Sequence, residues 1–261
     1  MASTEPEQAA GSPITVTGPA DRKPYIWLIA AQAVAYAILV LISLIPMGSG
    51  AQMNSVAVTF VSTAVVALVV IEAFTSPLRV NASGRAIAAI AALFALVFAT
   101  SPIIGDVIAL HGAAQHNHIF TERPCTWVAG VASVLVAVIV IDFIRQMMRE
   151  QRTELIEHIG ADVALSASCV LSTGWCFLPY VLQNFGIAQD DGSTALHISV
   201  LLLAIICVGV IIALAAATYI WHHDVHIAKH FHLPWLGMAM LPVMLTGAVV
   251  GLGAVVITIW G

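Results

Sequence analysis

Charge is what this sequence has least of. Asp, Glu, Lys and Arg make up 9% of its 261 residues, where a soluble domain carries roughly 25%. A soluble chain so poor in charge would expose wide apolar patches and aggregate. Its net charge of -5 leaves no basic footprint, which excludes nucleic acid as a partner. Cysteine is also sparse. Cys125, Cys169, Cys176 and Cys207 match no zinc or redox spacing and no disulfide framework. Cys169 and Cys176 share a helical face, and a free cysteine there packs as a small hydrophobe.

Catalytic signatures are missing as well. The chain holds no H-E-x-x-H, no G-x-S-x-G and no G-x-x-x-x-G-K-[ST], which removes zinc proteases, serine hydrolases of that type and P-loop enzymes. No repeat relates its two halves.

Long apolar runs are what the chain has in quantity. Apolar residues reach 60%, and a hydrocarbon core of about 30 Å needs about 20 of them in a helix. The spans are Tyr25–Ile45, Met53–Phe74, Ala86–Ile104, Thr126–Phe143, Asp162–Leu182, Leu196–Trp221 and Trp235–Trp260. Backbone groups in lipid must bond internally, so each is expected as a helix. The third could run past Pro102 and Asp106 to Leu110. The fold class that follows is all-α, a polytopic membrane bundle of seven transmembrane helices occupying Arg22–Gly261. The polar stretch Met1–Asp21, rich in Pro, Gly, Ser, Thr and Glu, is expected to be a disordered tail. The first span has no small-residue cleavage site after it and reads as a retained anchor.

Direction comes from the nine Lys and Arg residues. With the N-terminus in the cytoplasm, Arg22, Lys23, Arg79, Arg85, Arg145, Arg149, Arg152 and Lys229 all lie inside, and Arg123 alone lies outside. That bias predicts N-terminus in and C-terminus out. Trp27, Trp127, Trp221, Trp235 and Trp260 fall near span ends, where an aromatic belt is expected. Trp175 lies within the fifth span and is placed against other helices or facing a cavity. The fourth span is expected to continue as an amphipathic helix, Arg145–Ile159, with Arg145, Arg149 and Arg152 on one face.

Small residues indicate close helix packing. Alanines line the third span, and Gly247 and Gly251 have G-x-x-x-G spacing in the seventh. Such positions let backbones approach where the hydrophobic effect cannot drive association. The approach is either within the chain or to a second copy.

Candidate functional residues form three groups. His222, His223, His226 and His230 fall within an arc of roughly 100° if the sixth helix continues that far. Imidazoles one turn apart suit a transition metal such as Zn, Cu, Ni or Fe, which is the cofactor this tract would hold. Its H-H-x-x-H order differs from the repeated H-x-x-H-H boxes of di-iron lipid oxygenases. His111, His116 and His118 lie across the bilayer from it.

The fifth span is the most polar, and Ser172, Thr173 and Trp175 are the candidate cavity-lining residues, since helices interrupted by Gly and Pro can line substrate paths. Quiet helix contacts explain the same hydroxyls. The ionisable residues Glu72, Asp142, Asp162 and His197 sit near span ends rather than at mid-bilayer, where a relay is usually found. Asp142 is one turn from Arg145 and is expected to pair with it. Seven helices suggest a rhodopsin-like arrangement, but no lysine in the seventh span could hold a retinal.

These readings point to a multi-pass protein of the cell membrane, with lipid around it and a membrane-protein partner or a second copy beside it. The expected role is a small permease-like transport protein or a subunit of a membrane complex. The alternative is a metal-dependent membrane enzyme acting on a lipid or a small apolar substrate.

Overall fold

The computed structural model describes residues 23–44, 55–76, 78, 80–101, 123–148, 155–183, 194–224 and 234–260. They form α1 (Lys23–Ser43), α2 (Ser55–Thr75), α3 (Ala82–Thr100), α4 (Arg123–Met147) and α5 (Leu155–Leu171). A 3-10 segment, Ser172–Phe177, continues α5, and α6 (Thr194–Asp224) and α7 (Pro234–Trp260) complete the chain. Among the described residues there is no strand, and seven helices are long and apolar enough to cross a membrane. The tail Met1–Asp21 and the suggested extension of the third span to Leu110 lie outside the described residues.

Helix is the form these sequences take even where propensity opposes it. α2 reads SVAVTFVSTAVVALVVIEAFT, a run of β-branched residues that are poor helix formers in water. In hydrocarbon an unpaired amide costs several kcal/mol, and a single span can satisfy its amides only as a helix.

The fifth span and α7 make the centre of the bundle, with α1 to α4 around them and α6 applied to the outside of α7. Glycines set the closest approaches. A Cβ on Gly174 would collide with the Gly247 carbonyl oxygen, and one on Gly251 with the Trp127 ring. A Cβ on Gly253 would meet Leu203 of α6. The G-x-x-x-G face of α7 is therefore filled from within the chain. α3 presents Gly84, Ala88, Ala91, Ala92, Ala95 and Ala99 as its buried stripe, against α4 and α5.

The tightening into 3-10 form has a local accompaniment. The hydroxyls of Ser168, Ser172 and Thr173 donate to the carbonyls three residues earlier, at 2.6–2.8 Å. In α1 to α4 the Ser and Thr hydroxyls reach four residues back. The overwound turn brings Gly174 onto Gly247 and turns Trp175 toward α7, where its Nε1 donates to the Val243 carbonyl at 2.8 Å. The Trp175 ring also lies 6.0 Å from that of Tyr36 in α1.

One sequence expectation is corrected. Trp127 is not an interfacial anchor: it is 2% exposed, its Nε1 donates to Thr173 Oγ1 at 2.8 Å, and it packs edge-on against Phe177. An indole is pulled into a helix bundle where a hydroxyl acceptor is offered. Trp27, by contrast, is largely exposed. Of the expected amphipathic helix Arg145–Ile159, residues 149–154 lie outside the described residues; α4 ends at Met147, α5 begins at Leu155, and Arg145 bonds Asp162 of α5.

Candidate functional site

Polar groups inside the bundle gather at the end where α2 finishes, α3 begins, α4 finishes and α5 begins. The buried face of α2 descends through Val61, Val65 and Val69 to Glu72 and Ser76, all buried. Positions 65, 69, 72 and 76 follow the three-and-four spacing of one helix face. Glu72 is 0% exposed. The Ser76 side chain is placed to hydrogen-bond its carboxylate, Cys169 of α5 is close enough to feel its charge, and among the described residues no ion pair reaches it.

Beside it lies a three-helix ion cluster. Arg145 of α4 donates through Nη2 to Asp162 of α5 and through Nη1 to Ser83 of α3 at 3.2 Å. Its Nη1 also stands 3.8 Å from Asp142 Oδ1. The pairing of Asp142 with Arg145 thus holds only as a long contact, and Asp162 takes the short one. Asp142 is 0% exposed and neither of its oxygens is hydrogen-bonded. Buried Gln146 and Ser166 complete this end. This end of the bundle therefore holds three carboxylates, Glu72, Asp142 and Asp162, with Arg145 as the cation paired to the last two. Burying a carboxylate is favourable only when a counter-charge accompanies it.

A seam runs between α2 and α3. Its inner part is a cavity of about 150 Å³ lined by Val65, Val69, Ala89, Ala92 and Thr173, among others. Its outer part is a chamber of about 540 Å³ at the opposite end of the bundle, where Arg123 begins α4. Val66 and Leu96 belong to both walls. Val69 is one turn from Glu72, which itself lines neither space.

Of the three residues named as cavity-lining, Thr173 faces the inner cavity, with its hydroxyl engaged as donor to Val170 and acceptor from Trp127. Ser172 and Trp175 are buried in the contact with α7. Cys169 and Cys176 are buried and free, with Cys176 Sγ 3.7 Å from Ser62 Oγ.

Of the histidine tract, His222 and His223 lie in the last turn of α6, while His226 and His230 fall outside the described residues, as do His111, His116 and His118. Among the described residues no three of His, Cys, Asp and Glu come together as a metal site.

Sequence reasoning named Glu72, Asp142 and Asp162 but missed that Arg145 bridges to Asp162. It also missed the chamber. A signal was present: Thr59, Ser62, Thr63 and Val66 are spaced as one face of an otherwise apolar helix. Compared with protein-family models, curated proteins and solved structures, the chain matches none.

Proposed function

We propose that this protein is a small permease of a cell membrane, which moves a small solute along the α2–α3 seam. Glu72 carries the coupling proton or small cation. The observation behind this reading is Glu72 itself, wholly buried in a membrane-spanning helix, with Ser76 beside its carboxylate and no cation paired to it among the described residues. Ionisable residues in such a place are costly and mark ion or proton paths by default. A carboxylate there needs a counter-charge, and a proton or cation taken from solution supplies one. The chamber and cavity, both walled by α2, with Val69 of the cavity one turn from Glu72, support a path rather than an isolated strained residue.

In this reading the Arg145 end faces the cytoplasm and the Arg123 end faces outward, following the bias of basic residues. Arg145, held by Asp162 and Asp142, fastens α4 to α5 beside the path.

Reconstitution into proteoliposomes tests it. With an imposed proton or sodium gradient, solutes from a panel of sugars, amino acids and organic acids should include one that accumulates. Glu72→Gln, which keeps the shape and removes the charge, should reduce that accumulation to the level of empty vesicles. Gradient-driven uptake unchanged in Glu72→Gln, or uptake of no solute at all, overturns the proposal.

A further inference from the structure

One turn beyond the inner cavity, two opposite charges stand on facing helices and neither has a counter-ion. The cavity wall includes Val69 of α2 and Ala89, Ala92 and Leu96 of α3. Glu72 follows Val69 by three residues on the same buried face. Arg85 precedes Ala89 by four, so positions 85, 89, 92 and 96 share one face of α3. α2 ends at Thr75 and α3 begins at Ala82. Glu72 and Arg85 each stand three residues inside those helix ends, which sets them at one level. The two helices pack together, and packed helices lie about 8–10 Å apart, within the combined reach of an arginine and a glutamate side chain.

Arg85 is half-buried, and its Nε is shut inside the bundle with no hydrogen-bonding partner. Among the described residues no ion pair engages Arg85 or Glu72. An arginine that only marks the end of a span keeps its donors in water, whereas a buried N–H without an acceptor calls for one. The other ionisable groups packed around α2 leave Arg85 as the cation nearest to Glu72 in register. Arg145 is held by Asp162 and Asp142. Cys169 of α5 is close to Glu72, while Cys176 lies by Ser62 and Tyr36 of α1 against Trp175. α7 carries no ionisable side chain.

We infer that Arg85 is the counter-ion of ionised Glu72, and that their pairing closes the α2–α3 seam between the cavity and the Arg145 end. The Glu72 carboxyl O–H breaks, its proton leaves to water at the Arg145 end, and the electron pair stays on the carboxylate. Arg85 keeps all its hydrogens and donates two of them to that carboxylate in a charge-assisted pair. Val69 and Ala89 are then sealed from the Arg145 end. Return of a proton to Glu72 releases Arg85 and unseals them. This inference rests on the permease reading, in which Glu72 is the coupling residue, and adds the gate; its tests use no solute.

Full-length protein in proteoliposomes is treated at mildly alkaline pH with dicyclohexylcarbodiimide, which modifies protonated buried carboxyls, and labelling of Glu72 is followed by mass spectrometry. Arg85→Gln should speed that labelling by about tenfold or more, the usual effect of removing an opposite charge. Arg85→Lys, which keeps the charge, should stay near the wild-type rate. Arg85→Met, of similar length, replaces Arg85→Gln if the latter does not fold. Separately, Ala89→Cys places a thiol in the cavity wall. In vesicles exposing the Arg145 end, a membrane-impermeant methanethiosulfonate should reach that thiol severalfold faster when Arg85→Gln is also present.

Glu72 labelling unchanged in Arg85→Gln, or raised equally in Arg85→Lys, overturns the pair. Equal reactivity of the Ala89→Cys thiol with and without Arg85 overturns the closure. Pairing and closure without uptake of any solute would remove the permease reading and leave the gate standing. Gradient-driven uptake that depends on Glu72, with labelling indifferent to Arg85, would do the reverse.

Discussion

In the fifth span, 72% of an 18-residue stretch within Ile159–Gln183 is buried, whereas from Leu201 to Thr218 of α6 only 6% of the residues are. The more apolar of the two is α6. In water that order would be inverted, with the apolar helix inside. Lipid is as apolar as leucine, so burying Leu201, Ile205 or Ile212 gains little, and these side chains face outward. Polar and small residues decide the interior instead. The fifth span has Asp162, Ser166, Ser168, Ser172, Thr173 and Gly174, and every one is buried. Each polar group finds something there that lipid cannot offer, and each small residue lets a neighbouring backbone close in. α6 has few polar groups along most of its length, its small residues Ala204, Gly209 and Ala213 are left exposed, and it rests mainly on α7.

Substitutions that strike one region and spare the other sharpen this contrast. The largest effect is expected at Gly174→Leu, where the added side chain meets the Gly247 carbonyl. A loss above about 4 kcal/mol, or no recoverable folded protein, should appear in detergent unfolding. A mild effect would mean that the two backbones do not approach as described.

Next comes Arg145→Gln, which strands buried Asp162 and Asp142. About 3 kcal/mol should be lost, and adding Asp162→Asn should recover part of it. If the double variant is no better than the single one, the pair is not what holds α4 to α5.

Trp127→Phe keeps the ring in the core but removes the donor to Thr173. A loss of about 1 kcal/mol is expected from unfolding curves, and none at all would remove that bond from the account. The smallest effect belongs to α6. A Cβ on Gly209 would meet nothing within 4 Å, so Gly209→Ala should change stability by at most about 1 kcal/mol, in the stabilising direction. A large destabilisation would show that this face is covered.

Much of the architecture was legible in the composition, because lipid restricts the chain so severely. A long run of apolar residues has one way to satisfy its backbone, and the span ends then agree to within a few residues, as with Trp235–Trp260 against Pro234–Trp260. Side-chain placement was less legible. Trp127 carries the same residue type and nearly the same depth as an interfacial anchor, and only Thr173, 46 positions away, explains its burial. The Arg145–Asp162 pair was hidden for a related reason, because nothing local reveals that Arg145 has a carboxylate waiting on the next helix. The chamber residues on α2 did carry a local signal, a polar stripe on an apolar helix, but Thr100 and Arg123 join it only through the packing of α3 and α4.

What the amino-acid order alone determined is the number of crossings and the helical state of each, since both depend on the solvent around a single segment. Which helix sits at the centre, which carboxylate takes Arg145, and where the seam opens were decided by tertiary structure. Those outcomes depend on contacts between segments far apart in the chain. In a membrane they turn on glycine clearances and a few polar pairs, because hydrophobicity no longer distinguishes inside from outside.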